Sequence, residues 1–365
     1  MENMGINTMV DERFWKDKRV YLTGSTGFKG SWLSLWLSNM GAEVKGYALK
    51  PTTTPSLFEL ANVSNKIEYE IGDIRNSKQL QASLTGFNPD ILIHMAAQPL
   101  VRLSYTKPVE TFETNVMGTV KVLDAARNCE SLKSIVNVTT DKCYKNKEWP
   151  WGYRENEAMG GLDPYSSSKG CAELVSSAYY HSFLHEKGVS LVTARAGNVI
   201  GGGDWAEGRL IPDILNAFQK KQSVVIRNPK STRPWQHVLE PLSGYLVLAQ
   251  KTYESPQEYA EGWNFGPHDE DAKPVDWIIN QMASKWEGKA NWKLDKNSNP
   301  YEATSLKLDI SKAKLRLGWQ PTWRLENTLE RIINWHQAWL NHKDMQAVCL
   351  NEIKNYMEDM NNEND

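Results

Sequence analysis

Short apolar runs rich in β-prone residues recur at 19–23, 43–48, 67–71, 90–94, 134–139, 190–194 and 262–265. Between several of them lie longer stretches with apolar positions at helical spacing: 29–40, 77–85, 108–129 and 164–187. The first set predicts strands and the second predicts helices. Alternation of this kind predicts an α/β fold, a doubly wound parallel sheet with helices on both faces. Ligands of such sheets bind outside the carboxyl ends of the strands.

The alternation weakens after residue 200. Glycines at 201–203 precede a helical pattern at 210–219 and a short strand pattern at 223–227. Residues 267–345 mix loops with tryptophan-rich helical stretches. The expected organisation is a sheet domain over 14–200, to which 231–266 returns. A smaller mixed α/β lobe is expected from 201–230 and 267–345. The segment 351–365 is dense in Glu, Asp and Asn and is expected to be a flexible tail.

Composition narrows the function classes without choosing one. With 40% hydrophobic and 24% charged residues, the chain is of ordinary globular type. A net charge of -2 and a pI near 6.4 supply no bulk field for nucleic acid or an anionic membrane. The four cysteines, Cys129, Cys143, Cys171 and Cys349, show neither CxxC nor metal-ligand spacing. They are expected to be free thiols in a reducing compartment, with no metal site. Residues 1–13 carry no apolar leader core, and no run of about 18 apolar residues occurs. The expected location is the cytoplasm.

Candidate chemistry begins where the first strand pattern runs into Gly24-Ser25-Thr26-Gly27-Phe28-Lys29-Gly30 and then a helix. Glycines at this spacing let the backbone approach a pyrophosphate at a helix N-terminus, so the segment predicts a Rossmann-type dinucleotide site. Asp73 and Ile74 follow the third strand pattern, where a carboxylate can accept a bond from an adenine amino group. Ala96, Ala97 and Gln98 follow the fourth, where small residues let a flat ring pack on the backbone. Asn115 completes the expected cofactor set. The second strand pattern ends in Tyr47-Ala48-Leu49-Lys50 with no acid for a ribose hydroxyl, which leaves NAD and NADP both open.

Tyr165 and Lys169 place a phenol and an ammonium one helical turn apart. The ammonium is expected to lower the tyrosine pKa towards neutrality. A tyrosine so tuned takes a proton from an alcohol as a hydride leaves the same carbon.

Further segments follow in a characteristic order. They are His94-Met95-Ala96-Ala97-Gln98, Thr139-Thr140-Asp141-Lys142-Cys143-Tyr144 and the Tyr165/Lys169 pair. Arg195-Ala196-Gly197-Asn198, Gly201-Gly202-Gly203-Asp204 and Arg233-Pro234-Trp235-Gln236-His237-Val238 come after them. With the glycine loop, they make the chain resemble the extended short-chain dehydrogenase/reductases over about residues 14 to 340. More narrowly, it resembles the nucleotide-sugar 4,6-dehydratases, and among those the CDP-glucose subgroup.

The resemblance implies a tightly bound NAD and a substrate that is CDP-glucose or a related sugar nucleotide. It implies oxidation at C4, loss of water across C5 and C6, and return of the hydride to C6. Such products feed deoxysugar and surface-polysaccharide (O-antigen) synthesis. Tyr165 is the implied C4 base, Thr140 the partner of the 4-oxygen and Asp141 the acid at C6, its pKa raised by burial. Most 4,6-dehydratases carry glutamate where this chain has Lys142. A neutral, desolvated Lys142 can remove the C5 proton, or a charged one can stabilise the enolate or position a basic water.

Gln98, Asn198, Arg209, Arg227, Arg233 and Trp235 are the expected substrate contacts, with Asn198 and Arg233 foremost for the diphosphate. A homodimer or homotetramer through helices 108–129 and 164–187 is also implied. Another 4,6-dehydratase, a 4-epimerase or a decarboxylase of the same superfamily would share Tyr165 and Lys169. Neither an epimerase nor a decarboxylase needs Asp141 and Lys142. A non-catalytic dinucleotide sensor has no use for the Tyr165/Lys169 pair or for an arginine-lined lobe.

Overall fold

The computed structural model describes residues 9–288, 290–295 and 305–362. Residues 289 and 296–304 of the expected lobe and 363–365 of the expected tail lie outside the described residues. Six strands come first: β1 (Arg19–Thr23), β2 (Glu43–Ala48), β3 (Glu68–Ile71), β4 (Ile91–His94), β5 (Ser134–Val138) and β6 (Ser190–Ala196). Four short strands follow: β7 (Val199–Ile200), β8 (Ser223–Ile226), β9 (Thr232–Pro234) and β10 (Gln236–His237). The last three are β11 (Gly262–Phe265), β12 (Ala272–Pro274) and β13 (Asn291–Leu294).

Seven of these form one sheet in the order β11-β6-β5-β4-β1-β2-β3, with every pairing parallel. Central strands covered on both faces must be apolar throughout. β5 and β6 are accordingly buried at every position. The chain order reverses between β1 and β4, so a crevice opens above Thr23 and His94.

The helix Phe28–Asn39 carries Trp32 and Trp36 into a core shared with Trp263, Trp319 and Trp335. The abundance of tryptophan is thus packing. A separate apolar cluster gathers Ile211, Ile214 and Phe218 with Ile278, Met282 and Ile332.

The helical pattern at 108–129 resolves into Pro108–Phe112, a π-helical turn Glu113–Met117 and Gly118–Ala126. The extra residue of the π turn brings Asn115 inward. Its Oδ1 accepts from Gln98 N at 2.8 Å, and its Nδ2 donates to Ser168 Oγ at 2.9 Å. The pattern at 164–187 likewise changes from the helix Pro164–Tyr179 to a π turn at Tyr180–Leu184.

The flexible tail expected at 351–365 is a correction. Met345–Asn362 is a helix. Met345, Cys349, Ile353, Tyr356 and Met360 recur at helical spacing and are buried against the main core. Acidic and amide residues on the outer face masked that stripe.

Candidate active site

The glycine loop is built for close approach. Gly24 has φ +78°, and a Cβ there would lie 2.8 Å from Ala96 N. A Cβ on Gly30 would lie 2.1 Å from Gly24 O. Gly27 caps the helix Phe28–Asn39, so the helix N-terminus faces the crevice. Thr26 Oγ1 donates to Leu49 O at 2.8 Å and closes the loop onto the end of β2.

Under the loop, Thr23 Oγ1 accepts from Met95 N and Ala96 N and lies 2.7 Å from His94 Nδ1. The hydroxyl therefore donates to Nδ1, and Nε2 carries the proton towards Thr119 Oγ1 at 3.2 Å. Burial holds the His94 imidazole neutral, its pKa lowered to about 3. Ile74 packs against Gly118. The Asp73 carboxylate is held by Arg75 at 2.7 Å, which keeps its pKa low.

Tyr165 and Lys169 sit in the first turns of Pro164–Tyr179, whose N-cap Asp163 accepts from Ser166 N at 2.9 Å. Both side chains are buried. The expected lowering of the Tyr165 pKa is not found. Burial pushes it up to about 12, and the counteracting pull is a hydrogen bond with Thr140 rather than Lys169. Lys169 donates to Val138 O at 3.0 Å, and burial lowers its pKa to about 8 against the pull of Glu173. Desolvation outweighs pairing because neither group reaches solvent.

Thr140, Asp141 and Lys142 leave the end of β5 on a 3₁₀ turn, Asp141–Cys143, capped by Thr140. Thr140 Oγ1 donates to Asp141 Oδ1 at 2.9 Å. Asp141 Oδ2 is buried with no hydrogen-bond partner among the described residues. A Cβ on Gly197 would lie 2.1 Å from that oxygen, so only glycine leaves room for the carboxyl. Burial raises the Asp141 pKa against the pull of Lys142, as expected for an acid held protonated. Lys142 lines a cavity of about 120 Å³ with Val101, Tyr144, Asp163 and Arg233.

Sequence reasoning missed the scaffold behind these groups. Glu173 accepts from Thr139, Thr193 and Arg195, whose Nη2 lies 2.8 Å from Oε2. Arg195 Nη1 donates to Tyr144 Oη, which donates to Asn264 Oδ1 at 2.7 Å. The network ties β5, β6 and β11 to the Tyr165 helix. Two signals were available: a charge inside an apolar strand, and Glu173 one turn beyond Lys169 on the buried face.

Lys29 is half-buried, with Nζ 3.5 Å from Tyr245 Oη. Burial, then Lys169 and Arg209, lower its pKa to about 7.

The expected substrate contacts divide. Asn198 adopts φ +36° at the end of β6 and accepts from Gln236 N at 3.3 Å. Arg233 is buried and acts on Asp141. Arg209 caps Leu210–Gln219 and pairs with Asp204 at 2.9 Å. Arg227 faces Asp213, as does Arg102, which sequence reasoning did not select.

Two others have their polar groups engaged by the protein itself. The Gln98 amide is engaged by Leu100 and Thr111, which makes it an anchor of its own loop. Trp235 is buried in the smaller cluster and donates to Lys273 O at 2.9 Å.

A family profile described as GDP-mannose 4,6 dehydratase matches residues 22–332. CDP-glucose 4,6-dehydratase of Salmonella typhimurium (strain LT2) is 58% identical over 354 residues, 96% of this chain and 99% of that protein. The fold is similar to UDP-glucose 4-epimerase of Thermotoga maritima, with TM-score 0.76 and 19% identity over 88% of this chain and 99% of that one. It is similar also to UDP-glucuronic acid 4-epimerase of Bacillus cereus, solved with NAD, with TM-score 0.75 and 22% identity over 88% and 99%.

Proposed function

Since the chain belongs to the GDP-mannose 4,6 dehydratase family, we propose that it converts CDP-glucose to CDP-4-keto-6-deoxyglucose. One observation carries the choice of dehydratase over epimerase. Beside the buried tyrosine stands a buried carboxyl with a free oxygen, Asp141, and a lysine on the same turn. An epimerase oxidises and reduces one carbon and needs neither group. The 58% identity supports cytosine as the base.

The loop Gly24–Gly30, where side chains would clash with backbone, fits the pyrophosphate of NAD. Thr26, Phe28, Lys29, Asp73, Ala96, Ala97 and Asn115 surround the rest of its site in this reading. The similar epimerase solved with NAD supports that cofactor. When bound, the nicotinamide supplies a hydride acceptor at C4 and a hydride donor at C6. Tyr165 takes the C4 hydroxyl proton, and Thr140 holds the same oxygen. The resulting ketone acidifies C5, whose proton goes to the neutral amine of Lys142 or to a water beside its ammonium, and a proton returns to C5 after C6 is reduced. Asp141 protonates the departing C6 hydroxyl. Asn198, Arg209, Arg227 and Arg233 hold the diphosphate, with Arg102 near Arg227 at Asp213.

Incubation with CDP-glucose, UDP-glucose, dTDP-glucose and GDP-mannose in turn, with and without NAD or NADP, tests the proposal. Water loss detected by mass is expected with CDP-glucose and NAD. Absence of water loss from all four sugar nucleotides would remove the dehydratase reading.

The assembly is a homo-oligomer in this reading. Leu174, Ser177 and Ala178 form a charge-free exposed face on Pro164–Tyr179, and Val109, Phe112 and Met117 are exposed beside it. A Val109→Glu/Leu174→Glu double variant is expected to run as a monomer in light scattering. An unchanged mass would place the interface elsewhere.

No helix among the described residues is long and apolar enough to cross a membrane.

A further inference from the structure

We infer that the C-terminal helix Met345–Asn362 belongs to the framework of the elimination site. Glu352 holds His237, and His237 fixes the strip 233–237 that backs Asp141. The inference rests on the dehydratase reading. The helix lies beyond the family profile, whose match ends at residue 332.

Glu352 interrupts the apolar stripe of this helix and is only 7% exposed. A carboxylate there is costly unless a partner meets it. The partner is His237, fully buried, with Nε2 3.3 Å from Glu352 Oε1. His237 Nδ1 accepts from Leu239 N at 3.3 Å, which assigns the ring proton to Nε2, the ring atom nearest the carboxylate. Neither atom makes a hydrogen bond among the described residues, so the 3.3 Å approach is an electrostatic contact between two buried groups with no other partner at those atoms. Two indoles hold the ring edge-on: Trp323 at 4.9 Å and Trp32 at 6.3 Å between centroids.

From His237 the contacts run directly to the acid. β10 pairs with β7, and Gln236 Nε2 donates to Gly197 O at 3.1 Å and Phe265 O at 2.9 Å. A Cβ on Gly197 would meet Asp141 Oδ2 at 2.1 Å and Pro234 Cγ at 3.1 Å. The Gly197 peptide is therefore wedged between the Asp141 carboxyl and the strip. Any shift of the strip moves both the wall behind the acid and the Arg233 beside it. Misplacement by about 1 Å costs roughly 10²-fold in rate when a reacting group must be aligned. Glu352 and His237 are thus positioning residues for proton delivery at C6.

The test uses full-length wild type, Glu352→Ala, Glu352→Gln and Met360→Ala. Met360 lies on the same helix and stripe, two turns beyond Glu352, and is buried in the main core. Quenched single turnovers of CDP-glucose are analysed by mass for 4-keto-hexose against 4-keto-6-deoxy-hexose. Glu352→Ala is expected to raise the un-dehydrated fraction by roughly fivefold or more. Glu352→Gln, which keeps the side chain's volume and an oxygen beside His237 Nε2, is expected to stay at the wild-type ratio. Met360→Ala lowers Tm with the ratio unchanged.

Hydrogen exchange of peptides spanning 197–200 and 233–238 gives a readout independent of turnover. It is expected to quicken in Glu352→Ala and not in Met360→Ala. A wild-type ratio and wild-type exchange in Glu352→Ala would overturn the inference. So would a brace that acts only through stability, with both measurements moving equally in Met360→Ala. If the wild type itself loses no water from CDP-glucose, the dehydratase reading fails first. The exchange data then judge the contact path alone.

Discussion

Tyr165→Phe is expected to lower C4 oxidation of CDP-glucose by about 10²–10⁴-fold in single turnovers, the range removed with a positioned general base. The phenol lies in a closed site, 8% exposed, where burial pushes its pKa to about 12. Its ring keeps the same packing after substitution, and only the bond with Thr140 is lost. Stability should therefore change by no more than about 1 kcal/mol. A variant that folds as the wild type does and still oxidises C4 at the wild-type rate would remove Tyr165 from the chemistry.

The second large effect separates elimination from oxidation. Asp141→Asn keeps the shape that Gly197 accommodates and removes the acidic proton. Oxidation is expected to persist, and water loss to fall by about 10²–10³-fold, so the 4-keto-hexose accumulates. Lys142→Met is expected to suppress entry of solvent deuterium at C5 while oxidation continues. Deuterium entering C5 at the normal rate in that variant would show that a water, not the lysine, takes the proton. The side chain would then act as a charge beside the enolate. Loss of oxidation in Asp141→Asn would mean that the carboxyl serves the first step. The division of labour between Thr140 and Asp141 would then be wrong.

Much of this site is local in sequence. The glycine loop, the Thr140–Lys142 turn and the Tyr165/Lys169 pair each lie within one short segment. Spacing along the chain and the handedness of strand and helix set their internal geometry. The seven strands of the sheet were legible for the same reason. The central strands are runs of apolar residues that a parallel sheet covered on both faces requires, while the edge strand β3 alternates glutamate with apolar residues. Less legible were features assembled from distant segments. Glu173 meets Arg195, Thr193 and Thr139, and Gly197 makes room for Asp141. The C-terminal helix was hidden because composition was weighed over its buried stripe of Met345, Cys349, Ile353, Tyr356 and Met360.

The sequence by itself determined which chemical groups exist, their order along the chain and the strand or helix that presents each. Short-range sterics and hydrophobic periodicity decide those things. Only the tertiary structure decided their proton affinities and free partners. Tyr165 is raised rather than lowered, Lys29 and Lys169 are depressed, and Asp141 keeps one oxygen unpaired. The cause in each case is desolvation by residues far away in sequence. No spacing rule records how completely a folded chain will close over a charge.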